Sequence, residues 1–420
     1  MLHNIDVGDI GPRGESAAAA VGKCVHCGFC LPGCPTYQEL GSEMDSPRGR
    51  ILLMKNVLEG ELAEAEARPH IDRCLGCLAC VTNCPSGVEY GELLSTYRDH
   101  AESQTRRRRW SLRDTLVRWT LPYPNRFRLA LKAAKLTQFL NPLVPGVLKP
   151  MLEMVPDSIP KPESIPEVTP ATGERRGRVA MMLGCAQNVL APDINAAAIR
   201  VLSRNGIEVV VPRGQGCCGA LSWHTGEGKA AKKFAKDLIH SIPSDVDCFL
   251  TTAAGCGSAV HEYPLLLAGD EQEGAAKELQ SKSMDISVYL GQIGIVPPPA
   301  LKQPKRIAFH DACHLAHAQG VRSEPRQLLR SIPGVELVEL RDSDICCGSA
   351  GTYNIEQPEL ANKLGNRKAE AIDETGVAMV ATGNIGCLVQ LGKHCRTNSE
   401  GVTILHTVQI LDRAYREILS

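Results

Sequence analysis

Aromatic residues are scarce: Phe, Trp and Tyr make up 4 % of the 420 residues. The core must therefore be aliphatic, and a chain of this length has enough aliphatic side chains for two or three domains. Long apolar runs are absent as well. No stretch approaches the ~18 residues that cross a bilayer. The Ala17–Val21 run is too short for a secretion signal and lacks its basic flank. Charge is nearly balanced, with 46 Lys and Arg against 47 Asp and Glu, so nothing global argues for a nucleic-acid partner. No phosphate loop or Ser/His/Asp order is present. Gly214-x-Gly216 and Gly226-x-Gly228 lack the third glycine of a dinucleotide fingerprint. These absences predict no flavin or nicotinamide in this chain. They also leave no catalytic residue able to take a hydride from an organic substrate unaided.

What is abundant is cysteine, 18 in all. In a large chain read as leaderless, clustered cysteines point to metal ligands in a reducing cytosol rather than disulfides. Cys24, Cys27, Cys30 and Cys34 form C-x2-C-x2-C-x3-C-P, and Cys74, Cys77, Cys80 and Cys84 repeat it 50 residues later. Soft anionic thiolates suit iron. In two-cluster ferredoxins the fourth cysteine of such a run, followed by proline, ligates the other cluster. The spacing thus predicts two [4Fe–4S] clusters, one on Cys24, Cys27, Cys30 and Cys84, the other on Cys74, Cys77, Cys80 and Cys34. Zinc sites usually pair two short C-x2-4-C units, which two intact four-cysteine runs ending in Cys-Pro fit poorly.

Residues 1–100 are read as an α-helical two-cluster ferredoxin domain, because the 39 residues between Cys34 and Cys74 hold a helix start at Ser46-Pro47 and an apolar-periodic stretch to Leu62. Residues 101–175 are read as a basic helical segment and a Pro-rich linker. From Arg98 to Lys135 there are 11 Lys and Arg against 3 Asp and Glu, including Arg106–Arg109 beside Trp110, and eight prolines fall in 141–175. The basic stretch reads either as a solvated face packed on the ferredoxin domain or as an amphipathic contact with anionic lipid or a partner subunit.

From residue 178 the chain repeats itself. RVAMMLG before Cys185 answers to RIAFHD before Cys313, Cys217-Cys218-Gly219 to Cys346-Cys347-Gly348, and Gly255-Cys256 to Gly386-Cys387, at offsets of 128, 129 and 131. Each half alternates β-like runs with helical stretches, implying parallel βαβ units with the cysteines at strand ends. The fold class expected is α+β multidomain: the helical ferredoxin domain, then two duplicated α/β domains over 176–300 and 301–420. Adjacent cysteines cannot point one way along a strand, so each CCG must be a bent loop. Cys248 reads as a buried strand residue. His310, Asp311, His314 and His317, which lack counterparts in the first half, read as hydrogen-bonding neighbours, proton carriers or a ligand.

Each half resembles the cysteine-rich CCG domain of heterodisulfide reductase subunits and of membrane-linked dehydrogenase subunits. In its full form that motif binds a non-cubane iron–sulfur cluster through five cysteines. Here the fifth position holds Ala259 in one half and Gln390 in the other. Cys185, Cys217, Cys218 and Cys256, and Cys313, Cys346, Cys347 and Cys387, either hold a further cluster, share one, or remain free thiols.

Taken together, CVHCGFCLPGCPTYQ (24–38), DSPRGRI (45–51), DRCLGCLACVTNCPSGV (72–88), CHLAHAQ (313–319) and CCGSAGTY (346–353) resemble the iron–sulfur subunit of glycolate oxidase, over nearly the whole chain. The resemblance implies an electron-transfer subunit, not catalytic alone, that works with two FAD-binding subunits. These oxidise glycolate to glyoxylate and pass electrons toward a quinone-type acceptor, at the inner face of the cytoplasmic membrane. It implies cluster-ligand roles for the eight cysteines of the two runs and docking or tuning roles for Arg48 and Arg50. The alternatives are the iron–sulfur subunit of a lactate or glycerol-3-phosphate dehydrogenase, or a heterodisulfide-reductase-like catalytic subunit.

Overall fold

The computed structural model describes residues 1–104, 111–137, 144, 146–398 and 401–419. The Arg106–Arg109 run and Trp110 lie outside the described residues.

Residues 1–104 are helical, with no strand among them. Helices Gly14–Lys23 and Tyr90–Gln104 pack together through Ala17, Ala20 and Val21 against Leu93, Leu94 and Tyr97. Small residues on the first helix let the two backbones approach. Ser46 caps helix Pro47–Leu58 by accepting from Gly49 N at 3.0 Å, and Pro47 presets its first turn. The expected helix start is therefore the observed one.

Two helices follow, Leu112–Thr120 and Pro124–Leu136. They lean on the first repeat through Arg118–Glu227 (2.8 Å) and the tilted ring pair Tyr123–Phe234. Leu112, Trp119, Leu129 and Leu136 remain exposed. Beyond them the described part of the Pro-rich segment forms short helical turns and then an edge strand, β1 (Val168–Thr169), which the sequence did not announce.

The first repeat is a sheet of β1, β2 (Gly177–Met181), β3 (Ile207–Val210), β4 (Cys248–Thr251) and β5 (Ser283–Asp285), in the order β1-β3-β2-β4-β5. The second holds β6 (Lys305–His310), β7 (Val335–Glu339), β8 (Met379–Thr382) and β9 (Thr403–His406), in the order β7-β6-β8-β9. Apart from antiparallel β1, every pairing is parallel, with Val179 opposite Val209 and Ala308 opposite Val338. Val179, Ala180 and Met181 are all buried, as are Ile307, Ala308 and Phe309, because helices cover both faces of a parallel sheet.

The halves pack reciprocally. Helix Pro192–Arg204 of the first lies on helix Thr407–Tyr415 of the second, while Ile286–Ile293 of the first lies on Ser323–Arg330 of the second. This is the pattern of an approximate two-fold axis. Arg200 grips Asp412 across it through two bonds of 2.9 and 2.7 Å. Both sheets turn their carboxyl ends toward one another and toward the ferredoxin domain, which is where open α/β sheets place their sites.

Candidate metal centres

The two ferredoxin loops share a backbone shape that their sequences disguise. Residues between the first two cysteines and just after the second are left-handed in both: His26 (φ 55°) and Gly28 (φ 86°) in one, Gly76 (φ 63°) and Leu78 (φ 63°) in the other. Each loop thus forces one non-glycine residue into a costly conformation, at opposite positions, so that the chain curls around a centre.

Within these loops Cys24 lies in electrostatic reach of Cys27 and Cys84, and Cys30 of Cys24. Cys34 faces Cys77 and Cys80, and Cys74 faces the same pair. The two groups adjoin where Cys30 meets Cys34 and Cys80. Burial pushes Cys30 up to about 11 and raises Cys24, Cys77 and Cys80 as well. Dry thiols of this kind stay protonated unless a cation stabilises the thiolate, so the donor set fits an iron–sulfur group. Burial would also raise Cys74, but the Arg50 and Arg98 guanidiniums outweigh it and bring its thiol below the ordinary value. Arg50, 1 % exposed, donates to His70 O at 2.8 Å and to Thr36 Oγ1 at 2.9 Å, while the more exposed Arg48 holds His26 O and Glu43. Arg50 is therefore fixed behind the thiols of both runs, and Arg48 braces a loop.

In the repeats the structure brings each half's four cysteines into a string. Cys217 Sγ lies 3.6 Å from Cys185 Sγ, and Cys218 links Cys217 to Cys256. Cys313 Sγ lies 4.0 Å from Cys346 Sγ, and Cys347 links Cys346 to Cys387. The bend expected at each CCG is there. Gly219 (φ 79°) and Gly348 (φ 86°) are left-handed, and a Cβ on Gly348 would stand 2.7 Å from Ala361 O. Cys248 is a buried residue of β4, as expected, apart from the string.

Both strings open onto one cavity of about 390 Å³ that also reaches Cys74. The ferredoxin domain forms one wall of it. Leu75, Cys77 and Ala79 share a buried cluster with Cys313, Cys346 and Tyr353, and Tyr353 Oη donates to Arg73 O at 3.0 Å. Arg98 ties Cys74 O (2.9 Å) to His224 O (2.8 Å).

The histidines after Cys313 divide by role. His314 Nε2 meets Gly76 O at 3.0 Å, and His317 Nδ1 meets Thr82 Oγ1 at 2.8 Å, so these two dock the ferredoxin domain. Asp311 is held by Arg326 through two 2.7 Å bonds. His310 is 1 % exposed among the thiols, and burial, with Lys368 nearby, pushes it down to about 3. Lys368 is itself buried beside Cys346 and Cys347.

A further group had no motif to signal it. Glu262 accepts from Trp223 Nε1 at 2.5 Å and meets His224 Nε2 at 3.4 Å, and the His224 and His314 rings stand edge to face at 5.2 Å. Burial would raise the Glu262 carboxyl, but His224 and the Trp223 donor bring it below the ordinary value. Burial and then His224 push His314 down to about 4. The cavity thus holds a buried, ionised carboxylate gripped by Trp223 and His224.

Among the described residues no helix is long and apolar enough to cross a membrane. Residues 20–88 match the model of a 4Fe-4S dicluster domain, and residues 179–261 and 307–392 each match a cysteine-rich domain. The glycolate oxidase iron-sulfur subunit of Escherichia coli (strain K12) is 38 % identical over 410 residues, covering 96 % of both chains. A probable glycolate oxidase iron-sulfur subunit of Bacillus subtilis (strain 168) is 37 % identical, covering 88 % of both. Lactate utilization protein A of Oceanobacillus iheyensis is 29 % identical over 236 residues, which is 56 % of this chain and 96 % of that protein. With both domain types in order and similarity running almost end to end, the chain belongs to the family of glycolate oxidase iron–sulfur subunits.

Proposed function

We propose that this chain is the electron-transfer subunit of a glycolate (2-hydroxy acid) dehydrogenase complex. It takes electrons from two FAD-binding subunits and delivers them to a quinone-type acceptor. Cys24, Cys27, Cys30 and Cys84 hold one [4Fe–4S] cluster, and Cys74, Cys77, Cys80 and Cys34 hold the other. A cluster bound there exchanges one electron at a time, which divides the two electrons released when glycolate becomes glyoxylate. The observation that carries this reading is the shared buried cluster of Cys77 with Cys313 and Cys346, which sets the second ferredoxin run against the second repeat. Arg50 favours the thiolate form behind Cys74. The apolar Leu112, Trp119, Leu129 and Leu136 on the two basic helices present a face for a partner subunit or the inner surface of the cytoplasmic membrane.

Anaerobic affinity purification from the native host tests this. Two co-eluting flavoproteins, with dye reduction on glycolate, support it. A preference for lactate or glycerol 3-phosphate would move the chain to the iron–sulfur subunit of one of those dehydrogenases. A second reading, a catalytic disulfide reductase, draws on the cavity that both cysteine strings share. Disulfide-dependent turnover by the isolated chain would favour it.

A further inference from the structure

His310 ends β6 with its ring buried at 1 % exposure; one ring nitrogen approaches the Ser343 backbone outside normal hydrogen-bond geometry, and the other has no partner. A buried nitrogen without a partner costs roughly 1–3 kcal/mol, so it calls for an explanation. One lies beside it: the nearest ligand atoms of His310, Cys347 and Cys387 all fall within 4.8 Å of one another.

The same frame in the first half lacks this feature. At the 128-residue offset that relates Cys313 to Cys185, His310 answers to Met182. Contacts of Gly348 with Ala361 and of Gly219 with Ala231 set an offset of 130 in the following helices, at which Lys368 answers to Leu238. The second site therefore carries a nitrogen donor and a cation where the first has two apolar side chains. The position of the fifth cysteine offers no substitute. The Gln390 amide is committed at both ends, Nε2 to Ala361 O at 3.1 Å and Oε1 to Asn354 Nδ2 at 3.1 Å.

We propose that His310 is a nitrogen ligand of an iron centre in the second repeat, with Cys347 and Cys387 as its nearest thiolate partners, whereas the first repeat offers thiolates alone. The proposal rests on the reading that the repeats hold metal. Its consequence is a difference between two sites of common design. A neutral imidazole standing in for the fifth thiolate of the full CCG motif leaves the centre less negative, and at a higher potential, than a fifth thiolate would, as imidazole does in Rieske centres.

The test uses the full chain, prepared anaerobically with its clusters, in natural-abundance and [15N]histidine-labelled forms. Two ferredoxin clusters account for eight irons, so iron beyond eight reports the repeats. Pulsed electron paramagnetic resonance on a centre that survives Cys77→Ser should show a histidine nitrogen coupling that changes on labelling and disappears in His310→Ala. His310→Cys should keep the iron, lose the coupling and lower the potential. Ferredoxin-type signals in the His310 variants confirm that they fold. A repeat centre without histidine coupling, or with a coupling that persists in His310→Ala, overturns the role of His310 alone. No iron beyond eight overturns the metal reading of the repeats as well.

Discussion

Arg50 Nη1 lies 3.9 Å from the Cys34 sulfur and donates to Thr36 Oγ1 at 2.9 Å, while its other nitrogens hold His70 and Asp45. This charge is fixed behind thiolates contributed by both ferredoxin runs, since Arg50 also lowers the Cys74 thiol. Removing it leaves Asp45, 2 % exposed, with only His70 and Arg73 as partners, at 3.1 and 3.4 Å. Arg50→Gln should destabilise the protein by about 3 kcal/mol and lower the potential of the adjacent cluster, whereas Arg50→Lys should keep most of that potential. A redox titration beside a denaturation curve reads both effects. An unchanged potential in Arg50→Gln would remove Arg50 from any tuning role.

Cys77 belongs both to the second ferredoxin run and to the buried cluster with Cys313 and Cys346. Cys77→Ser should release one cluster, a loss of about four irons per chain, and stop glycolate-dependent electron delivery while the flavin subunits still bind substrate. Iron analysis and acceptor-linked turnover of the assembled complex check this. Full turnover in the variant would refute the proposed path.

The CCG bends make a paired prediction. Gly348→Ala puts a Cβ into a left-handed residue 2.7 Å from Ala361 O, while Gly219→Ala meets Ala231 O at 3.1 Å. Strain and overpacking together should cost about 2–4 kcal/mol at 348 and less at 219. Equal effects in urea denaturation would show that conformation alone, rather than the close helix, decides the cost.

His406 carries a pH dependence with a definite sign. Its Nδ1 accepts from Val408 N at 3.2 Å, and its Nε2 donates to Thr252 O at 2.8 Å in the other half, so the folded state requires the neutral ring. Burial pushes its pKa down to about 4. The unfolded chain takes up the proton first, near pH 6.5. The contribution is therefore complete above that pH and fades as pH falls toward 4, amounting to about 2 kcal/mol by pH 5. His406→Asn keeps a capping acceptor but does not titrate. Its stability should fall less steeply than that of the parent between pH 7 and pH 5, and parallel slopes would contradict the assignment.

Much of this was legible in the sequence because the signals are local or periodic. The two Cys-Pro runs, the Ser46-Pro47 helix start, the bent CCG loops and the duplicated βαβ order all depend on neighbours within one element or on a repeat length. What stayed hidden depends on contacts between distant segments. His314 and His317 read as chemistry beside Cys313, yet their partners are Gly76 and Thr82, 238 and 235 residues away. Glu262 and His224 have no motif spacing and meet only because helices Ala220–His224 and Ala254–His261 pack together. Lys368 and Leu238 look alike as helix positions until the repeat is overlaid in space. The edge strand β1 lies in a stretch whose prolines speak only of extension.

The shared core of Leu75, Cys77, Cys313, Cys346 and Tyr353 also bears on how the protein matures. Thiols in that core are dry, and a metal centre can enter only by expelling their protons into water. The contact between the ferredoxin domain and the second repeat buries both Cys77 and Cys346. Opening that joint would bare Cys77 and Cys346 together, so the dryness of one domain's thiol and of the other's depends on a single contact.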